Sequence, residues 1–178
     1  MAAAAKEADT IDAEVVDEAS HVRGLPAEVN DTIKRHTAYA AAGGLVAIPM
    51  IEVAICGTIQ LRMIAKLCDA YGVRFSENAV KAAIGTLVGS VLPVGALGYS
   101  VFAAVRTVPG VGQILGMLTL PVLAGAVTYA VGRVFAWHFA SGGTIEDFDA
   151  EAATGDFKRE FEEGKRRAKG GSAAAASA

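Results

Sequence analysis

The stretch AAIGTLVGSVLPVGALGYSVFAAV, residues 82–105, decides how this chain is read, because after the single charge of Arg106 a second uncharged run follows it: TVPGVGQILGMLTLPVLAGAVTYAVG, residues 107–132. A hydrocarbon core of about 30 Å is crossed by roughly 20 apolar helical residues, so each run is long enough to span a bilayer. The pair is expected to form a membrane hairpin with Arg106 at its turn. Both runs carry an internal proline, Pro93 and Pro121, which removes one backbone hydrogen bond and invites a kink. Two small-residue pairs, Gly85 with Gly89 and Gly112 with Gly116, have the GxxxG spacing that lets helix backbones approach closely. All four are candidates for a helix contact within the hairpin or between protomers.

Upstream of the hairpin the pattern changes. Residues 1–32 alternate alanine with acidic residues and are expected to form a disordered acidic arm. Residues 37–51 are uncharged but too few to span, and Gly43-Gly44, Pro49 and Glu52 follow one another closely. They predict a helix that re-enters the membrane or lies at its interface. From Ile51 to Tyr71 the spacing is helical and amphipathic. Ile59, Met63, Ile64, Leu67 and Tyr71 share one face, and Arg62, Lys66 and Asp69 share another, which makes these three the candidate surface for a partner. Gly72 is placed to close this helix as a left-handed cap, and Ser76 to begin the next.

Downstream, Arg133, Trp137 and His138 are expected to mark the return to the headgroup zone. Residues 144–178 read as a charged tail. In it Phe148, Phe157 and Phe161 anchor a short helix, and residues 170–178 are low-complexity coil. The membrane-embedded domain therefore covers residues 33–143. Arg106 stands alone at the turn while the other basic residues flank the hairpin, so both termini are expected to be cytoplasmic and the host membrane the cell inner membrane.

The chemistry is sparse. No GxxxxGK[ST], HExxH, CxxC or GxSxG stretch occurs. The two cysteines, Cys56 and Cys68, are too few for a disulfide framework and read as buried or lipid-facing thiols. His138 has no histidine, cysteine or carboxylate at ordinary ligand spacing, so neither metal nor cofactor is expected. A net charge of −3, and an opening 36 residues with more acidic than basic side chains, argue against nucleic acid as a partner. Glu52, one step past an apolar run, is the candidate intramembrane polar residue.

The string AIPMIEVAICGTIQLRMIAKLCDAYGV, residues 47–73, resembles the core of the YcjF-like family of bacterial inner-membrane proteins. Val108-Pro109-Gly110, the stretch TYAVGRVF at residues 128–135, and Gly142-Gly143 resemble that family's second half. The resemblance implies an α-helical domain often fused to, or encoded beside, an Era-like or dynamin-like GTPase; this chain contains no GTPase motif, so such a partner would act in trans. It carries over no catalytic residue. The expected protein is thus an all-α integral membrane protein: a kinked two-helix hairpin, a re-entrant or interfacial helix, an amphipathic helix and disordered polar ends. Its expected role is that of a non-enzymatic anchor or scaffold, with membrane lipids, a GTPase and further copies of itself as partners. The alternative from another class is a small oligomeric channel or transporter component, with Glu52 or Gln113 lining its path.

Overall fold

The computed structural model describes residues 24–44, 51–91 and 111–176. Five helices are described: α1 (Ala27–Gly43), α2 (Ile51–Tyr71), α3 (Glu77–Val91), α4 (Val111–Ala140) and α5 (Thr154–Ala176). No strand occurs among the described residues, as the all-α reading requires.

Each helix follows from its sequence. Helix α1 buries Val29, Thr32, Ile33, His36 and Ala40, a stripe at steps of three and four. Helix α2 has the bounds that its periodicity predicts and buries Met63, Ile64 and Leu67 completely. It stops at Gly72, whose φ of 68° is open to glycine at little cost; the Gly72 and Val73 amides then donate to Asp69 O and Cys68 O and satisfy the helix end. Helix α4 ends the same way at Gly142, φ 87°, with the Gly142 and Gly143 amides donating to Phe139 O and His138 O.

Helix α4 is the hub, and α1, α2 and α5 pack along it while α3 lies at the edge against α2, α4 and α5. The register is set by close approaches. Helix α1 runs antiparallel to α4, with Ile33 beside Gly132, Thr37 and Ala41 beside Gly125, and Gly44 against the Leu120–Pro121 backbone. Helix α2 runs parallel to it: Gln60 pairs with Thr128, Met63 meets Gly132, and the Tyr71 ring packs on Phe139. Helix α5 returns antiparallel, with Glu160 at Arg133 and Gly164 at Ala126.

Several expectations change. One described segment, Leu120–Ala140, is long and apolar enough to cross a membrane, and 67% of it is buried inside the bundle. Helix α3 has 15 described residues, short of a span. A hairpin of two spans is therefore not what the described residues display, and Pro93 and the Arg106 turn lie outside them. Helix α4 passes through Pro121 and Arg133 without interruption, and Arg133 finds partners inside the bundle. Trp137, expected at a headgroup surface, is buried for the same reason. Helix α1 begins at Ala27, within the stretch read as an acidic arm, since Val29 and Thr32 complete its apolar stripe. Helix α5 continues through residues 170–176, read from sequence as coil.

Candidate functional site

Of the residues singled out from sequence, Arg62, Lys66 and Asp69 lie together, exposed on one face of α2. Gly85 and Gly89 do not meet another helix: a methyl group added at either would find no atom within 4 Å. Gly112, Gly116 and Glu52 lie in the first turns of α4 and α2, and their side-chain surroundings fall outside the described residues.

The close approaches expected of glycine are made elsewhere. A Cβ on Gly164 would lie 2.9 Å from Ala126 Cα and 3.1 Å from its carbonyl oxygen, so α5 reaches α4 only because this position has no side chain. Gly132 admits Ile33 and Met63, and Gly44 fits against the Leu120–Pro121 backbone. These contacts seat the end of α1 and α5 on α4 at backbone distance, while α2 meets it through the Met63 side chain.

Above them, the polar groups of three helices meet at Arg133. Its Nε donates to Glu160 Oε2 at 3.4 Å, one NH2 group donates to Asn30 Oδ1 at 3.3 Å, and its guanidinium lies 4.8 Å from the Trp137 ring centroid. Asn30 in turn donates to Leu25 O, which fixes the entry to α1. Both charged side chains are largely shielded, at 18% and 12% exposure. The pair therefore specifies how α1, α4 and α5 assemble rather than adding much net stability. One turn on, His138 Nε2 lies 2.8 Å from Thr144 O and 2.9 Å from Asp147 Oδ1. Both are acceptors, so Nε2 is the protonated nitrogen. Asp147 also accepts from the Thr144 amide, and this bond first, then the one to His138, holds its carboxyl below the usual range. The latch closes the 141–153 connection over α4, and Gly143 is required because a Cβ there would overlap the His138 ring.

A cleft of about 320 Å³ opens beside this connection, lined by Trp137, His138, Phe148, Asp156, Arg159 and Glu160 among others. Its charges are already spoken for: Arg159 pairs with Asp156 at 2.9 Å, Glu160 with Arg133, and His138 with Asp147. No three metal-ligating side chains converge among the described residues. Burial, with Asp69 and Glu146 nearby, pushes the Cys68 thiol up to about 11, so at neutral pH it is a packed, protonated side chain rather than a nucleophile. Among the described residues this arrangement holds helices together.

Sequence reasoning missed the Arg133 node and the close approaches at Gly44, Gly132 and Gly164. The first joins positions 27 and 103 residues apart, and the second depends on what lies opposite. The one available signal was Arg133 itself, a charge inside an otherwise apolar helix that demands a partner.

No protein-family model matches the chain, and no solved structure matches it. Among curated proteins, the magnetosome membrane protein 22 of Magnetospirillum gryphiswaldense is 42% identical over 143 residues, which cover 80% of this chain and 72% of that protein. The chain belongs to the family of magnetosome membrane protein 22.

Proposed function

We propose that the protein is a non-enzymatic membrane anchor and scaffold, in which one helix serves both as membrane element and as core of a polar-surfaced bundle. The observation that carries this reading is α4. Its 30 residues form a single helix whose later part is clasped by α1, α2 and α5, and whose earlier part belongs to the uncharged run 107–132. Kinship with a magnetosome membrane protein supports a membrane of that kind as its address. The crowding of basic residues on the bundle supports a cytoplasmic position for both ends in an inner-membrane topology. The exposed Arg62, Lys66 and Asp69 face is the surface offered to a cytoplasmic partner, and a GTPase in trans is the partner implied by the sequence resemblance.

Two measurements test this. The protein should stay with membranes through a carbonate wash, and release into the supernatant would end the anchor reading. Reversal of Arg62 and Lys66 to Glu should abolish crosslinked recovery of a cytoplasmic partner while leaving membrane retention intact, because these side chains contribute nothing to the buried core. Retained recovery would remove this face from the scaffold.

A further inference from the structure

Resting on the reading of Arg62 and Lys66 as a partner face, we infer that this face binds an acidic peptide segment, and that its resident occupant is residues 7–18 of the chain itself. A cytoplasmic partner must displace that segment to dock.

The cations of the bundle fall into two sets. On α3, α4 and α5 they are matched: Lys81 with Glu77, Arg133 with Glu160, Arg159 with Asp156, Lys165 with Glu162, and Arg166 and Arg167 with Glu163. Lys34 of α1 is matched with Asp31. Among the described residues, Arg35 of α1, Arg62 and Lys66 of α2, and Arg74 just beyond it are exposed and form no ion pair, a state that Lys158 shares on α5.

The first four lie near one another. Ile33 and Met63 both border Gly132, and Gly43 borders Ile55 and Ile59, so α1 and α2 run antiparallel with Arg35 level with Arg62. Lys66 is one turn from Arg62 on the same face of α2, and Arg74 follows the Gly72 cap at the end of that helix. The unmatched carboxylates among them are Asp69 and, on α1, Glu28, so four cations stand against two. Beside Arg74, Phe75 is 37% exposed, one of two large apolar side chains that the described bundle leaves in the open.

The chain carries the complement. Residues 7–18, EADTIDAEVVDE, hold six carboxylates and no basic side chain, with Ile11, Val15 and Val16 set among them. The carboxylates suit the four cations and the aliphatic side chains suit Phe75. The stretch is also tethered within reach. Asn30 of α1 bonds Arg133, and Leu25, whose carbonyl Asn30 also holds, lies five residues nearer the upper end of the bundle, where α1 begins. Tyr71, at the close of α2, packs on Phe139, six residues above Arg133, so the chain enters the bundle at the end where Arg74 lies. From Glu18 to Gly24 is six residues, about 20 Å of extended chain, whereas Lys66 and Arg62 stand only about 8 and 14 Å below Tyr71 along α2.

Held so close, the acidic segment has an effective concentration on the order of millimolar, and surface ion pairs that are weak one by one act together. Exposed charges are screened, so the contact loosens as salt rises. The same arrangement sets a requirement for a partner: its docking segment must be acidic and must outcompete residues 7–18.

Lysine acetylation reads the contact in the whole purified chain in neutral detergent. Lys66 should react with a water-soluble acetylating ester several-fold more slowly in the wild-type chain than in a variant carrying Glu7→Gln, Asp9→Asn, Asp12→Asn, Glu14→Gln, Asp17→Asn and Glu18→Gln. Lys81, paired with Glu77 on α3, is the internal standard and should react alike in both. Arg62→Glu combined with Arg74→Glu should release Lys66 as fully as the neutralised segment does, and high salt should do so in the wild-type chain. Equal Lys66 rates in the wild-type and neutralised chains would overturn the docking. Protection that fades on dilution would assign the segment to a second copy and overturn the contact within one chain. The partner face is judged separately. Neutralising residues 7–18 should raise crosslinked recovery of a cytoplasmic partner several-fold, whereas recovery that survives reversal of Arg62 and Lys66 would remove the partner face and leave Lys66 protection as the measure of the contact.

Discussion

Helices α3 and α4 draw on the two uncharged runs, both rich in glycine and valine and carrying GxxxG spacing, yet they end in different surroundings. Helix α4 is enclosed by α1, α2 and α5, and its Gly125 and Gly132 meet side chains of α1 and α2. Helix α3 buries Val80 and Leu87 but leaves Gly85 and Gly89 facing open space. The difference teaches that glycine spacing permits close packing without choosing where it happens. The choice is made by the partner helix, here by Gly164 on α5 and the Gly43-Gly44 end of α1.

The largest expected effect separates the two helices by their ion pairs. Glu160→Ala should strip Arg133 of its carboxylate inside the bundle and cost about 3 kcal/mol, the low end for a broken buried pair because both partners retain some solvent. Lys81→Ala on α3 removes an exposed pair with Glu77, 2.6 Å long, and should change stability by no more than about 0.5 kcal/mol. Denaturant unfolding of the two variants in one detergent would check both. Equal costs would show that α4 is no better enclosed than α3.

Next in size is Gly164→Leu, which should cost about 2 kcal/mol or more, since the obstruction is the Ala126 backbone and cannot move aside as a side chain can. Gly132→Ala should cost less, because the atoms it meets belong to the side chains of Met63 and Ile33. A reversed order in thermal unfolding would mean that α5 yields more easily than Met63.

The third expectation has the opposite sign. Gly85→Ala and Gly89→Ala should each stabilise α3 by about 0.5–1 kcal/mol, as the added methyl groups meet nothing and the unfolded chain loses freedom. Gly85→Ile and Gly89→Ile should likewise leave the bundle folded. Loss of self-crosslinking in the isoleucine variants would identify this open face as a contact between protomers, with α3 enclosed after all.

The smallest effect concerns pH. The Asp147 carboxyl is held below its ordinary value of 3.8, so its bonds to Thr144 and His138 add stability at neutral pH that is lost as pH falls through the lowered folded-state value. Amide exchange in the 141–153 connection should therefore accelerate in acid before α4 opens. An acid-insensitive connection would mean that the His138–Thr144 bond alone holds it.

Much of the fold was legible. The bounds of α2, its buried face and the Gly72 cap follow from local spacing, because one helix's periodicity and one residue's backbone freedom are properties of nearby positions. The partners of Arg133 were not, since Glu160 and Asn30 lie 27 and 103 residues away and are invisible to a local window. The tail was underestimated for the same reason: Phe157 and Phe161 are anchors whose value depends on the groove they enter.

The order of the elements along the chain has a consequence for biogenesis. Helix α5 covers the Ala126–Arg133 side of α4 but is synthesised after it, and α4 leaves the ribosome with that face bare. During this interval the segment Leu120–Ala140 presents a full-length apolar helix to any insertion machinery. Arrival of α5, with Glu160 for Arg133 and no side chain at Gly164, would then draw the upper part of α4 out of competition with lipid. On the proposed membrane reading, how much of α4 is covered by protein would then be set by a segment translated later.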